Sequence, residues 1–203
     1  MKNIYLATSN INKVQELTDI INSSGLKINI ATVMGRVNMP VIEETADTFS
    51  GNAKLKAFTF EELTTKNTWV LADDSGLMVD AIQGNPGVYS SRYAKDGASD
   101  SENINKLLKN LKDIEGIKRS ARFVCILALI GSDGFEITFK GVCKGFIAKK
   151  PEGKNGFGYD PIFIPEGHTQ TFGVLDKSIK SKISHRARAL TKLICWLGSK
   201  FNH

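Results

Sequence analysis

Apolar positions in this chain change period along its length. Ile4 to Ala7 is a short apolar run of strand length, and Val14, Leu17, Ile20 and Ile21 then recur at helical spacing. Lys27 to Val33 alternate well enough for a second strand. Phe49, Ala53, Ala57, Phe60 and Leu63 form another helical stripe. Trp69 to Ala72 reads as a third strand and Leu77 to Val79 as a further short one, with Asp73-Asp74-Ser75-Gly76 as a tight turn between them. Gly84-Asn85-Pro86-Gly87 is a loop by its chemistry. Asp100 or Ser101 is the expected cap of a helix through Ile104, Leu107, Leu108 and Leu111. Arg122 to Ile130 and Phe135 to Ala148 read as two long strands around Ser132-Asp133-Gly134. A Gly-rich loop, Pro151 to Tyr159, precedes a short strand at Ile162 to Ile164. The last element is a helix striped by Ile183, Ala187, Leu190, Ile194, Leu197 and Phe201. Strand–helix alternation followed by consecutive strands predicts an α/β fold with a mixed sheet.

Size and charge narrow the picture only a little. The 203 residues suffice for one sizeable core and are short for two full domains, so residues 1–203 are read as a single domain. The 41% hydrophobic and 24% charged content is that of an ordinary globular protein, which leaves motifs to carry the functional argument. The longest apolar run, Phe123 to Ile130, is far shorter than a membrane span, and the N-terminal apolar segment is too short for a signal peptide. A cytoplasmic protein without a membrane partner is expected. Cys125, Cys143 and Cys195 lie far apart without a His cluster, which argues against zinc and a disulfide scaffold. Cys125 and Cys195 read as small core fillers. The net charge of +6 favours an anionic partner. The basic run Lys177 to Arg188 reads as a solvated helix face. It lacks the interleaved aromatics of a single-strand binder, so nucleic acid is not the expected partner.

Six segments carry candidate chemistry. Asp73 and Asp74 close an apolar strand, and a buried carboxylate needs a partner. A divalent cation suits two such groups, and Mg²⁺ commonly sits between carboxylates and a substrate's phosphates. A turn that merely joins two strands is the competing reading. Thr8, Ser9, Asn10, Ile11, Asn12 and Lys13 follow the first strand and open the first helix, where free N–H groups and a partial positive charge can hold phosphate. The glycines of a Walker loop are absent, and an ordinary N-cap explains the segment equally well. Glu43 and Glu44 precede the second helix and can add to a Mg²⁺ site, or simply favour the helix's positive end. Asn52 and Lys56, four apart, share one helix face. Around Arg92, packing beside Tyr89 and Tyr93 is the favoured role. Phe157, between Gly156 and Gly158, is either a turn plug or a stacking platform for a base. Asp160 before Pro161 is held extended. His185, roughly 200° round a helix from Ile183, reads as a surface histidine or, with Arg186, as a donor to a base edge.

Taken in order, these segments resemble the inosine triphosphate pyrophosphatase family. The resemblance runs from Ile4 to about Leu197 and is most specific at Ala72 to Leu77, Pro86 to Ser90, Gly156 to Phe163 and Ser184 to Arg186. It implies an elongated two-lobed α/β fold with a central mixed β-sheet flanked by helices and an active-site cleft between the lobes. It implies hydrolysis of non-standard purine nucleoside triphosphates such as ITP, dITP and XTP to the monophosphate and pyrophosphate. It implies Mg²⁺ on Glu44 and Asp74, with Asp74 also the water-activating base. Thr8 to Lys13 and Lys56 then meet the phosphates, Ser75 touches substrate, and Phe157 stacks on the purine beside Gly158, Tyr159 and Asp160. Lys180, His185 and Arg186 match further substrate contacts, with Lys180 helping to offset the triphosphate charge. A homodimer is implied as well. The chain departs from the family pattern at Ser9, where Gly is usual, at Gly51, where an acid is common, and at Thr171 to Leu175, which lacks a usual Glu. Other readings are a pyrophosphatase for different modified nucleotides, a non-catalytic nucleotide-binding protein, and a nucleic-acid binder using the basic segment.

Overall fold

The computed structural model describes residues 3–8, 10–25, 29–32, 42–62, 64, 68–131 and 133–201. Strand β1 (Asn3–Leu6) leads into helix α1 (Ile11–Ser23), β2 (Asn29–Thr32), α2 (Phe49–Glu61) and β3 (Thr68–Val79). Then come α3 (Asp100–Asn110), β4 (Ser120–Gly131), β5 (Glu136–Ile147), β6 (Phe163–Pro165), α4 (Lys177–Ile183) and α5 (His185–Phe201). The six strands form one sheet in the order β2-β1-β3-β4-β5-β6. β1 runs parallel to β2 and β3, whereas β5 and β6 are antiparallel, so the sheet is mixed as expected. Among the described residues, no helix is long and apolar enough to cross a membrane.

The chain divides into two compact units. The first comprises Met1–Asp74, Cys125–Gly141 and Arg188–His203. Its core packs Ile4 and Leu6 of β1, Leu17 and Ile21 of α1, Leu71 of β3, Leu127 of β4 and Leu190 and Leu193 of α5. Trp69 stacks on Phe135 at 5.5 Å between ring centroids and meets Trp196 at 5.7 Å. The second unit comprises Ser75–Val124 and Val142–Ala187. Its core gathers Leu77, Leu107, Phe123, Ile147, Ile162 and Phe172.

Four expectations need correcting. Residues 69–79 are not two strands around a turn: β3 runs unbroken through Asp73-Asp74-Ser75-Gly76, because both carboxylates find cations and remain buried. The helix after the Tyr93 loop is capped by Ser99, whose hydroxyl accepts from the Glu102 amide while Glu102 accepts from the Ser99 amide. The closing helix is two helices, since Ser184 is extended (φ −63°, ψ 159°) and its hydroxyl accepts from the Ala187 amide to cap α5. Cys195 is exposed, because it lies off the Ala189, Leu190, Leu193 and Leu197 stripe that α5 buries. Lys27, Val33, Leu63 and Ser132, which the sequence placed in or beside elements, fall outside the described residues. Asp176 caps α4 by accepting from the Ser178 amide at 2.8 Å.

Arg119 ties the second unit together. It is buried and donates to the carbonyls of Leu111 (2.7 Å), Ile114 (3.1 Å), Ile147 (2.7 Å) and Ala148 (2.8 Å). Arg119→Met keeps the aliphatic bulk but strands these acceptors, and is expected to cost about 3 kcal/mol in urea unfolding. A variant as stable as the wild type would contradict this role. The Glu102 carboxyl, bonded by Lys95 and by the Ser99 amide, is held down at about 2 from an ordinary 4.5. Its contribution is therefore fully present above pH 4.5 and lost as pH falls toward about 2. The melting-temperature gap between wild type and Glu102→Ala is expected at pH 6 and should narrow steadily below 4.5. A gap independent of pH would show that the charge is irrelevant.

Candidate functional site

In the first unit, three elements bring acids and lysines together around mid-β3. Alternation along a strand sends Asp73 and Asp74 to opposite faces, and each carboxylate is met by a lysine from a different helix. Lys13, in the first turn of α1, reaches Asp73 Oδ2 with its Nζ at 2.9 Å. Lys56, near the middle of α2, donates to Asp74 Oδ1 at 2.8 Å and to the Asp73 carbonyl at 3.1 Å. The same ammonium lies 2.7 Å from Glu44 Oε1. One turn earlier on α2, Asn52 is wholly buried. It accepts from the Ala46 amide at 2.9 Å and turns its Nδ2 toward Asp74 Oδ2 at 3.5 Å. Asn52 thus ties the segment carrying Glu44 to the strand carrying Asp74. Glu43 is exposed.

Burial raises the Asp74 carboxyl above its ordinary range, against the pull of Lys56. Burial also draws Lys56 down, but Asp74, Asp73 and Glu44 together outweigh it and hold the ammonium well above the ordinary lysine value. Lys56 is therefore a fixed positive charge. The donor set suits a hard cation, since Glu44, Asp74 and the Asp73 carbonyl turn oxygens toward one point, now held by Lys56 Nζ. Among the described residues, no three His, Cys, Asp or Glu side chains gather as a metal cage. Mg²⁺ needs only one or two carboxylates when phosphates supply the rest.

The turn before α1 is an N-cap. Asn10 Oδ1 accepts from the Asn12 and Lys13 amides at 3.0 and 3.2 Å, and Thr8 Oγ1 accepts from the Asn10 amide at 3.2 Å. The Ile11 side chain is 64% exposed, so nothing in the protein claims it. Ser9 lies outside the described residues.

The second unit assembles an aromatic wall. Phe157 is half-buried, with Lys180 Nζ 4.6 Å and Arg186 Cζ 5.7 Å from its ring centre. Asp160 is buried, accepts from the Phe157 amide at 2.9 Å and pairs with Lys180 at 2.7 Å. Lys180 therefore belongs with the ring. A side chain at Gly156 would collide with the Asp160 carboxylate, which explains the glycine there. Tyr159 is buried and donates its hydroxyl to the Ser90 carbonyl at 2.9 Å. Arg186 is 1% exposed and reaches Ser75 Oγ at 3.2 Å. His185 is not a surface residue: it is 5% exposed and stacks on Phe123 at 4.7 Å with the rings 13° apart. The break at Ser184 resets the helical phase, so an angle counted along one continuous helix misplaced it. Lys180, His185 and Arg186 are all buried, so only Lys177, Lys182 and Arg188 of the basic run form a solvated face.

The structure brings Lys13, Glu44, Lys56 and Asp74 together in one unit, and Ser75, Phe157, Tyr159, Asp160, Lys180 and Arg186 into a second set in the other. Sequence reasoning missed Phe123 beneath His185 and Asp100, which accepts from the Gly158 amide at 2.6 Å. Neither carries a local signal, because Phe123 looks like any strand residue and Asp100 like an ordinary first-turn acid.

Comparison with known proteins bears on this geometry. The Ham1 family profile matches residues 4–196. A dITP/XTP pyrophosphatase of Oceanobacillus iheyensis is 45% identical over 199 residues, covering 97% of this chain and 98% of that protein. One from Bacillus licheniformis is 45% identical over 193 residues, covering 95% and 96%. The solved Ham1 protein of Staphylococcus aureus superposes with a TM-score of 0.86 at 38% identity, covering 98% of this chain and all of that one. With profile, sequence and fold in agreement over nearly its whole length, the chain belongs to the Ham1 family.

Proposed function

We propose that this protein hydrolyses dITP, ITP and XTP to the nucleoside monophosphate and pyrophosphate. The observation that carries the reading is the buried cluster on β3, in which Asp73 and Asp74 are matched by Lys13 and Lys56. Charges this costly to bury are easily replaced by apolar side chains where only stability matters. Triphosphate chemistry gives them a use. Relatives named as dITP/XTP pyrophosphatases support the choice of substrate.

In this reading Lys13, Lys56 and the turn of Thr8, Ser9, Asn10, Ile11 and Asn12 meet the phosphates. Glu44 and Asp74 would hold Mg²⁺, which when bound supplies charge neutralisation and polarises the phosphoryl oxygens. Asp74 orients a water and accepts its proton as the water oxygen bonds to the α-phosphorus. The bond from that phosphorus to the bridging oxygen breaks, and pyrophosphate departs with the electron pair. Asp74's raised affinity for protons makes it a better acceptor than an exposed aspartate. Fixed donors do most of the remaining work by position and charge.

The purine is assigned to the second unit's wall. Phe157 supplies a flat face beside Gly158, Tyr159 and Asp160, and Ser75, Lys180, His185 and Arg186 supply polar contacts. Donors aimed at a 6-oxo group are left unmatched by adenine's 6-amino group, which costs about 1–3 kcal/mol for each buried donor. The homodimer rests on the family resemblance, and the cytoplasmic setting without nucleic-acid or membrane partners on the short apolar runs and the lack of aromatics in the basic segment.

The test is pyrophosphate release from dITP with Mg²⁺ present. Asp74→Asn is expected to lose turnover by about 10²-fold or more with an unchanged circular dichroism spectrum, and chelating the metal should silence the wild type. Near-normal turnover by the variant would remove Asp74 from its role.

A further inference from the structure

Resting on the base-recognition reading above, we infer that Asp100 is a positioning residue for purine selection, its carboxylate fixing the peptide that aims the Phe157 ring. The Phe157 amide donates to Asp160 Oδ2 at 2.9 Å, and the Phe157 carbonyl accepts from the Asp160 amide at 3.2 Å. The next amide, Gly158 N–H, donates to Asp100 Oδ2 at 2.6 Å. Both peptide groups flanking the Phe157 Cα are thus tied, and with them the direction of its side chain.

Gly158 explains why the second tie is needed. It sits at φ +60°, and a Cβ placed there would meet nothing within 4 Å. No neighbour closes on the side where a side chain would stand, and glycine has the widest backbone freedom of any residue. A charge-assisted bond is the strongest restraint open to an amide in such a position.

Asp100 itself has an ambiguous address. As the first residue of α3 it would be explained by the helix dipole alone. Yet capping is already performed by Ser99 and Glu102 on the same turn. The Asp100 carboxylate instead crosses to a residue 58 positions away. The packed helix α3, buried through Ile104 and Leu107, becomes a rigid post for the ring. The ring in turn lies under Lys180 and Arg186, so a tilt would spoil the aromatic face and both cationic contacts together.

The experiment compares the full-length wild type, Asp100→Ala, Asp100→Asn and Glu102→Ala in steady-state kinetics with dITP and dATP. Asp100→Ala should raise KM for dITP about tenfold, leave kcat within about twofold, and narrow the preference for dITP over dATP. Asp100→Asn retains an oxygen acceptor and should recover most of the loss. Glu102→Ala, which removes the cap and the Lys95 pair but leaves the Asp100–Gly158 bond in place, should lower the melting temperature and leave KM unchanged. A wild-type KM and preference in Asp100→Ala would overturn the inference, as would equal damage in Asp100→Asn. Failure of the wild type to cleave dITP would instead sink the preceding functional reading. Amide exchange at Gly158 then decides the anchor by itself: faster exchange in Asp100→Ala supports it, and equal exchange overturns it.

Discussion

Two neighbouring carboxylates in the middle of a buried strand constrain everything around them. Asp73 and Asp74 are 2% and 4% exposed, and an ion left alone at such depth costs several kcal/mol. Each must be answered by a cation from outside the strand. Lys13 answers one and Lys56 the other, which fixes where α1 begins and how α2 lies against the strand. Asn52 and Glu44 complete the arrangement from α2 and the segment before it. The pairing also keeps Lys56 charged under all ordinary conditions. In the proposed reaction this cluster is charged before substrate arrives, so little reorganisation is left for the chemistry itself.

The aromatic wall follows a different physics. Its centre is an apolar ring, and polarity comes from groups whose own partners are inside the protein: Asp160 with Lys180, Tyr159 with the Ser90 carbonyl, Arg186 with Ser75. Such groups are oriented by hydrogen bonds before any base is present. Under the proposed function, orientation is what discrimination needs, since a purine differs from its neighbours by one donor or acceptor. The cluster of the first unit works through charge, whereas the wall of the second works through direction. Different substitutions should therefore damage rate and selectivity.

Much of this was legible in the chain. Helical and strand periods located α1, α2, β4 and β5, and the order of the motifs carried the family resemblance over nearly the full length. Failures cluster where a distant residue decides. Asp-Ser-Gly has the composition of a turn, and only the lysines of two helices make it a strand. The apolar stripe near the C-terminus continues through Ser184, so one helix was read where a capped serine makes two. That error put His185 on the surface, although it lies against Phe123. Arg119's role was invisible for the same reason, and Asp100 was read only as a helix cap, their partners lying as far as 29 and 58 positions away.

The account turns on water attacking the α-phosphorus beside Asp74, and isotope tracing reads that directly. Hydrolysis of dITP in ¹⁸O-labelled water should place the label in the monophosphate and leave pyrophosphate unlabelled. Label in the pyrophosphate would place the attack on the β-phosphorus and contradict the role given to the β3 cluster.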